Sequence, residues 1–351
     1  MASDLQVAIV GYGLAGRWFH APLLAAADGL RIATVVTSDA GRAAQARVDH
    51  AGVEVVDRVD AVWEGRLPDL LVVATSNDVH AATAAGAIER GVAVVVDKPM
   101  AVSVPEAEDL LAQARAREVL LTVFQNRRWD TDHLTLRRLL AEGALGEVVR
   151  YESRFERWRP ESDPGAWRES TPPERGGGLL LDLGSHLIDQ ALVLLGSVER
   201  VYAEVQSRRG LPGDDDVFLA MQHSSGAISH LHASAVTPAT GPRLRVQGTQ
   251  AGFVVAGLDP QEDALREGRH PGDPGWGEGA EWARGRLVAG DQSIPVPAVP
   301  GDWPRFYAGV VQALRGDAPP PVDPADAVAV LRVIEAARQS ASAHRLVELP
   351  R

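Results

Sequence analysis

The sequence predicts two folds in series: an α/β domain on a doubly wound parallel sheet, then an α+β domain. The second carries an open, mostly antiparallel sheet with helices on one face. Three observations predict this. Short β-branched runs alternate with alanine-rich stretches at the start of the chain, the pattern of strand, crossover helix and strand. A glycine-rich turn, Gly11 to Gly16, directly follows the first run. After Phe124 the texture changes to segments that alternate apolar and polar residues, as strands with one covered face do.

The elements follow in order. "LQVAIVG" (5–11), "RIATVV" (31–36), "DLLVVAT" (69–75), "VAVVVDKP" (92–99) and "VLLTVFQ" (119–125) read as strands buried on both faces. "RWFHAPLLAAA", "GRAAQARVDHA" and "VHAATAAGAIERG" between them are long enough for crossover helices. Ser103 and Glu106 stand at capping-box spacing, with Pro105 in the first turn of the next helix. A boundary near residue 123 separates a dinucleotide-binding domain (1–122) from a substrate-binding and oligomerisation domain (123–351). The second domain holds aromatic, arginine-rich segments ("NRRWD", "RFERWRP", "GAWRE"), a leucine-rich helix and several alternating strands. A glycine- and proline-rich loop, "HPGDPGWGEGAEW", and a closing helix over 324–343 complete it.

Composition narrows the function. With 351 residues the chain is comfortable for two domains, and a net charge of −12 disfavours nucleic acid or an anionic membrane as partner. The absence of cysteine excludes disulfides, thiolate metal sites and a cysteine nucleophile, and it fits a reducing cytoplasm. "MASDLQVAIVGYG" has no basic start and enters a strand pattern at once, so no signal peptide is expected. No apolar run is long enough for a membrane span. The expected location is cytoplasmic.

Gly11, Gly13 and Gly16 have G-x-G-x-x-G spacing between a strand and a helix. The first glycine permits a tight turn, the second lets a pyrophosphate approach the backbone, and the third lets helix and strand pack closely. Amides at a helix N-terminus then meet the phosphate charge. Tyr12 and Leu14 share the loop. NAD sites usually offer a carboxylate at the end of the second strand. This chain has Thr37 and Ser38 there, a late Asp39, and Arg42. Small hydroxyls plus an arginine suit a 2′-phosphate, so NADP(H) is favoured and NAD(H) stays possible. A helix cap is the plainer role for Ser38 and Asp39, compatible with the first.

Ligands of open α/β sheets bind beyond the carboxyl ends of the strands. Thr75, Asn77 and His80 follow one such end, and Lys98 with Pro99 follows another. An ammonium there would stabilise negative charge developing on an alcohol oxygen. Further along, "GGGLLLDLGSHLIDQALVLLG" (176–196) sets Asp182, His186 and Asp189 into a leucine-rich helix. On one continuous helix, Asp182 and His186 share a face. Unpaired in an apolar setting such groups would cost several kcal/mol. They therefore either join two elements inside the core or face a polar cleft, and spacing alone leaves both open.

Taken in order, "GYGLAGRWFHAPLL", "TSNDVHAATAAGAIERGVAVVVDKP" and "GGGLLLDLGSHLIDQAL" resemble the glucose–fructose oxidoreductase / inositol dehydrogenase family, Gfo/Idh/MocA. The resemblance covers essentially the whole chain. "VFQNRRWDTDHLTLRRLLAEGALGEV", "RFERWRP", "GLDPQEDALREG" and "VPGDWPRFY" are similar to the branch with NADP-dependent scyllo-inositol dehydrogenases. The resemblance implies a Rossmann domain followed by an open sheet that often makes the subunit interface, hence a homo-oligomer, dimer or tetramer. It puts the E-K-P motif on Asp97-Lys98-Pro99, with Asp for Glu, and the D-x-x-x-H pair on Asp182 and His186. Lys98, Asp182 and His186 are then the implied catalytic group. The implied substrate is a cyclic polyol or sugar such as an inositol.

On that basis His186 accepts a hydroxyl proton with Asp182 orienting it, since imidazole titrates near neutral pH. Lys98 steadies the alcohol oxygen during hydride transfer. Asn126 is expected at the cofactor. Arg127, Arg157, Trp158 and Arg159 are candidates to flank the substrate, with packing as their plainer role. Asp189 and Gln190 either touch substrate or extend the polar stripe. His223, His230 and His232 read as sheet residues, and no metal is expected. A non-catalytic NADP-binding scaffold or redox sensor would keep the glycine loop but has no use for the lysine, aspartate and histidine. An NAD-linked dehydrogenase of a different sugar or an imine is a further alternative.

Overall fold

The computed structural model describes residues 4–163, 165, 167–281 and 284–350. Two positions of the arginine-rich loop (164 and 166), two of the glycine- and proline-rich loop (282 and 283) and the chain ends lie outside them. The chain forms two compact units. The first runs from Met1 to Asn126 and takes in Gln261–Trp276 and Asp302–Val328, which a single boundary near residue 123 would assign to the second.

The first unit is built on six parallel strands: β1 Leu5–Val10, β2 Leu30–Val36, β3 Glu54–Val56, β4 Leu70–Val73, β5 Ala93–Asp97 and β6 Leu121–Phe124. Their order is β3-β2-β1-β4-β5-β6, so the winding reverses between β1 and β4. Every residue of β4, β5 and β6 is buried, which explains their unbroken apolar sequences. β3 has no such run. It is a three-residue edge strand, and periodicity gives no sign of it.

The glycine turn leads into a π-helical stretch, Ala15–His20, and then α1 (Ala21–Ala25). The crossovers continue with α2 (Ala40–Asp49), α3 (His80–Glu89) and α4 (Val104–Ala116). Asp39 caps α2 by accepting from the Arg42 amide at 2.8 Å. At the start of α4, Ser103 accepts from the Glu106 amide while the Glu106 carboxylate reaches back to the Val102 amide, a capping box displaced by one residue.

Among the described residues the second unit contains nine strands: β7 Val148–Glu156, β8 Val198–Gln206, β9 Asp216–His223, β10 Ile228–Ser234, β11 Leu244–Gly248, β12 Gly252–Val255, β13 Arg286–Ala289, β14 Gln292–Pro295 and β15 Val347–Glu348. They form one sheet in the order β14-β13-β12-β11-β7-β10-β9-β8-β15. Among the described residues only β7 and β10 of this sheet pair in parallel. The helices that follow α4 are α5 (Thr131–Ala141), α6 (Trp167–Ser170), α7 (Leu179–Asp182), α8 (Gly184–Leu195), α9 (Gln261–Arg266), α10 (Pro304–Leu314) and α11 (Pro324–Ala343). α7 and α8 pack on β7, β9 and β10. Among the described residues no single helix is long and apolar enough to cross a membrane.

Candidate active site

The carboxyl end of the first unit's sheet has the shape a dinucleotide needs. Gly11 holds φ +95°, and a methyl group built on it would collide with the Ala74 carbonyl at the end of β4. One on Gly16 would collide with the Gly11 carbonyl oxygen. Turn and helix thus pack closer than any side chain allows, at the point where the strand order reverses, the fit expected for a nicotinamide dinucleotide. Leu14 is partly exposed at the entry to the π-helical stretch. The Tyr12 side chain turns inward instead, its hydroxyl 2.9 Å from both Asp49 Oδ2 and His50 Nε2. Burial, then the hydrogen bond to Asp49, push its phenol well above the ordinary range.

Exposed Arg42 lies beside this loop: a methyl group on Gly13 would stand 3.6 Å from its Nη1. Exposed Ser38 and half-buried Thr37 complete the tip of β2, with Asp39 occupied as a helix cap. Cap and cation therefore coexist at this tip. Thr75 and buried Asn77 follow β4. His80 is fully buried, with Nδ1 2.8 Å from the Pro99 carbonyl and Nε2 3.2 Å from the Thr75 carbonyl. Both ring nitrogens thus face main-chain oxygens, so His80 joins the segments that follow two strands. Burial lowers its pKa against the pull of those carbonyls and of Asp97.

Lys98 follows β5, and its peptide to Pro99 is cis. It is the only lysine in the chain, beside 34 arginines. Every other cationic side chain of this kind is an arginine, so position 98 alone carries a compact ammonium in place of a planar fork. That count is a signal the motif reading passed over. Asp97 is buried, and its Oδ1 accepts the Lys98 amide at 2.9 Å. Burial pushes the Asp97 carboxyl up, yet His20, Lys98 and His80 hold it below the usual carboxylate range. Asn126 is buried in the turn Asn126–Trp129 that follows β6.

In the second unit the expected single helix is broken. The segments Pro173–Asp182 and Gly184–Leu195 meet at 60°, so Asp182 ends α7 and His186 lies in the first turns of α8. The shared-face geometry of one continuous helix therefore does not apply. Asp182 Oδ1 is 3.4 Å from Arg168 Nε, and its carbonyl accepts from Ser185 Oγ. His186 is 5 % exposed and meets the Phe155 ring at 6.5 Å and 67°. The Arg127 and Arg243 guanidiniums lie over that ring at 4.7 and 4.2 Å, two cation–π contacts on the ring beside the histidine.

Asp189 is engaged by an arginine in this structure. Arg128, itself half-buried, donates two hydrogen bonds of 2.8 and 2.6 Å to the buried Asp189 carboxylate. Gln190 donates to the Arg127 carbonyl and accepts from Arg243. Arg127 is itself buried, 3.3 Å from Asp130. Arg157 is half-buried, while Arg159 and Trp158 are exposed. Trp158 forms a β-bridge with Val236. Asp132 pairs with Arg243 at 3.3 Å. Beside them His133 is buried with its Nε2 unpartnered; burial, then Arg137, Arg128 and Arg243, lower its pKa to about 3. His223 bonds the Gly196 carbonyl and Ser229, and His230 and His232 lie against Phe218. No group of acids and histidines suited to a metal ion occurs among the described residues.

Comparisons with known proteins agree with this layout. Residues 5–125 match the profile described as the oxidoreductase family, NAD-binding Rossmann fold. Residues 137–349 match the C-terminal alpha/beta domain of the same family. The chain is 37 % identical to the uncharacterized oxidoreductase YdgJ of Escherichia coli (strain K12), covering 98 % of each. It is 34 % identical to the scyllo-inositol 2-dehydrogenase (NADP(+)) IolW of Bacillus subtilis (strain 168), covering 98 % of this chain and 96 % of that one. The solved structure of yvaA from Bacillus subtilis superposes with a TM-score of 0.92 at 34 % identity, covering 100 % and 99 %. An NAD-binding protein from Listeria innocua gives 0.80 at 27 %, covering 99 % and 97 %. With both profiles matched in order over nearly its full length, the chain belongs to the GFO/IDH/MocA oxidoreductase family.

Proposed function

We propose that this oxidoreductase is an NADP(H)-preferring dehydrogenase/reductase that interconverts a secondary alcohol and a ketone on a cyclic polyol or sugar, inositols included. The observation that carries the reading is the single lysine of the chain, fixed at the carboxyl end of β5 in the sheet that bears the glycine cradle. The bound nicotinamide supplies hydride chemistry at its C4; the chain supplies everything else. Gly11, Gly13 and Gly16 admit the pyrophosphate to the backbone, with Leu14, Thr75, Asn77, Pro99 and Asn126 lining the cofactor. Arg42, with Thr37 and Ser38, receives the ribose 2′-phosphate.

Lys98 donates to the alcohol oxygen and stabilises its negative charge as the carbon loses hydride. His186 takes the hydroxyl proton, and Asp182 orients the imidazole; in ketone reduction the same proton returns. Two relatives support an alcohol of this class by their names: the scyllo-inositol dehydrogenase, and a D-glucoside 3-dehydrogenase of Escherichia coli matched over 56 % of this chain. The test is a screen of inositols and sugars with NADP+ and NAD+, and of the matching ketones with NADPH and NADH, alongside His186→Ala. Turnover lost in the variant with cofactor binding retained is the expected result. Tight cofactor binding without turnover across the panel would overturn the enzyme reading, and a fully active His186→Ala would overturn the base.

A further inference from the structure

Four fully or nearly fully buried polar side chains crowd the turn that carries Lys98, and the chemistry above uses none of them: Asp97, His20, Tyr307 and His80. They come from four separate stretches of the first unit. His20 ends the π-helical stretch after the glycine loop, and Tyr307 lies on α10. Tyr307 Oη is 2.6 Å from His20 Nδ1. The other nitrogen, His20 Nε2, faces Asp97 Oδ1 at 3.9 Å and makes no hydrogen bond. That same Asp97 oxygen accepts the Lys98 amide. The line therefore runs Tyr307, His20, Asp97, Lys98.

Its polarity follows from charge. Burial, then the negative charge of Asp97, push the Tyr307 phenol well above its ordinary range, so the hydroxyl keeps a proton that it can donate to Nδ1. A neutral imidazole that accepts at Nδ1 carries its proton on Nε2, the nitrogen that faces the Asp97 carboxylate. The opposite tautomer would aim a lone pair at a buried anion. Phe124 and Phe306 close round the pair, with the Phe124 ring 4.3 Å from that of His20, which excludes water and strengthens the electrostatics.

We propose that Tyr307 and His20 are positioning residues for Lys98, acting through Asp97: the hydroxyl selects the His20 tautomer, His20 fixes the carboxylate, and the carboxylate fixes the backbone from which the lysine projects. This rests on the reading that Lys98 meets the substrate oxygen, but its test does not.

The lone lysine makes that test clean. Reductive methylation with 13C-formaldehyde labels only Lys98 and the α-amine, and it preserves the charge. The 13C-dimethyl resonance of Lys98 is compared between the full-length protein and Tyr307→Phe, which removes one hydroxyl and keeps the ring. The expected result is a shifted or split Lys98 resonance, with the NADPH dissociation constant within twofold of the parent. With a turned-over substrate, kcat falls about tenfold while KM stays within twofold, the split that loss of one hydrogen bond worth about 1.4 kcal/mol produces. An unchanged resonance overturns the proposal. So does a loss of kcat matched by equal losses of cofactor affinity and melting temperature, which marks a merely structural role. If the parent turns over no compound in the panel, the functional reading fails while the resonance still decides this one. Should Tyr307→Phe not fold, Asp97→Asn takes its place, and an unchanged Lys98 resonance there is equally fatal.

Discussion

The Lys98 turn and the Asp182–His186 bend are held by different means. In the first unit the lysine is located by its main chain: Asp97 takes its amide, and His80 takes the carbonyl of the next residue. In the second, His186 is located by side chains: Phe155, which two guanidiniums contact, lies beside it, and the next turn of α8 carries Asp189 on Arg128 and Gln190 on Arg243. Main-chain anchoring is sensitive to shape and tautomer, whereas a scaffold of buried ion pairs is sensitive to the loss of a charge.

Substitutions can break or sharpen that contrast. The largest effect is expected of Lys98→Arg, which keeps the charge but replaces a compact donor by a planar fork. Turnover should fall about a thousandfold with the melting temperature unchanged, read by steady-state kinetics and calorimetry; a tenfold loss or less would mean that charge alone suffices. His186→Ala should cost roughly a hundredfold or more in kcat, the usual scale for a general base. Arg128→Ala attacks the other scaffold. It strands Asp189 in a buried site and should destabilise the protein by about 3–5 kcal/mol in urea melts, whereas stability close to the parent's would mean that Asp189 finds water.

Smaller effects are expected further out. Arg42→Ala should weaken NADPH about tenfold and NADH hardly at all, since a 2′-phosphate contact is worth about 1–2 kcal/mol; equal losses would remove Arg42 from that role. His133 carries an effect confined to acid, absent at neutral pH. Its folded pKa, about 3, lies below the roughly 6.5 of an unfolded imidazole, so its contribution to stability is complete above pH 6.5 and is lost as pH falls toward 3. His133→Gln should flatten the acid limb by up to about 1 kcal/mol per pH unit, and an unaltered limb would show that this imidazole does not titrate with unfolding.

The two regions were unequally legible in the sequence. The parallel sheet and its glycine turn were readable because buried strands are continuous apolar runs and because steric need dictates glycine. The bend at Leu183 was not, since an apolar helical pattern is the same on either side of a break without proline. Asp189 was readable as an anomaly but not as a pair, because its partner stands 61 residues earlier. His20 and Tyr307 lie inside the resembling motifs, yet 287 residues separate them, and no local periodicity reports such a contact.

The return of Asp302–Val328 to the first unit has a consequence for synthesis. Trp303, Phe306, Tyr307 and Val322 are buried, and Phe124 of β6 stacks on rings that leave the ribosome more than half a chain later. At about 5–20 residues per second that interval is on the order of ten seconds or more. Until it has passed, the nascent sheet lacks one wall of its core. A fragment ending at Asn126 would keep the glycine cradle and the lysine but expose aromatic surface, so it should aggregate or need a chaperone. The first unit, whose sheet is made early, therefore closes its core only after most of the second unit has been synthesised.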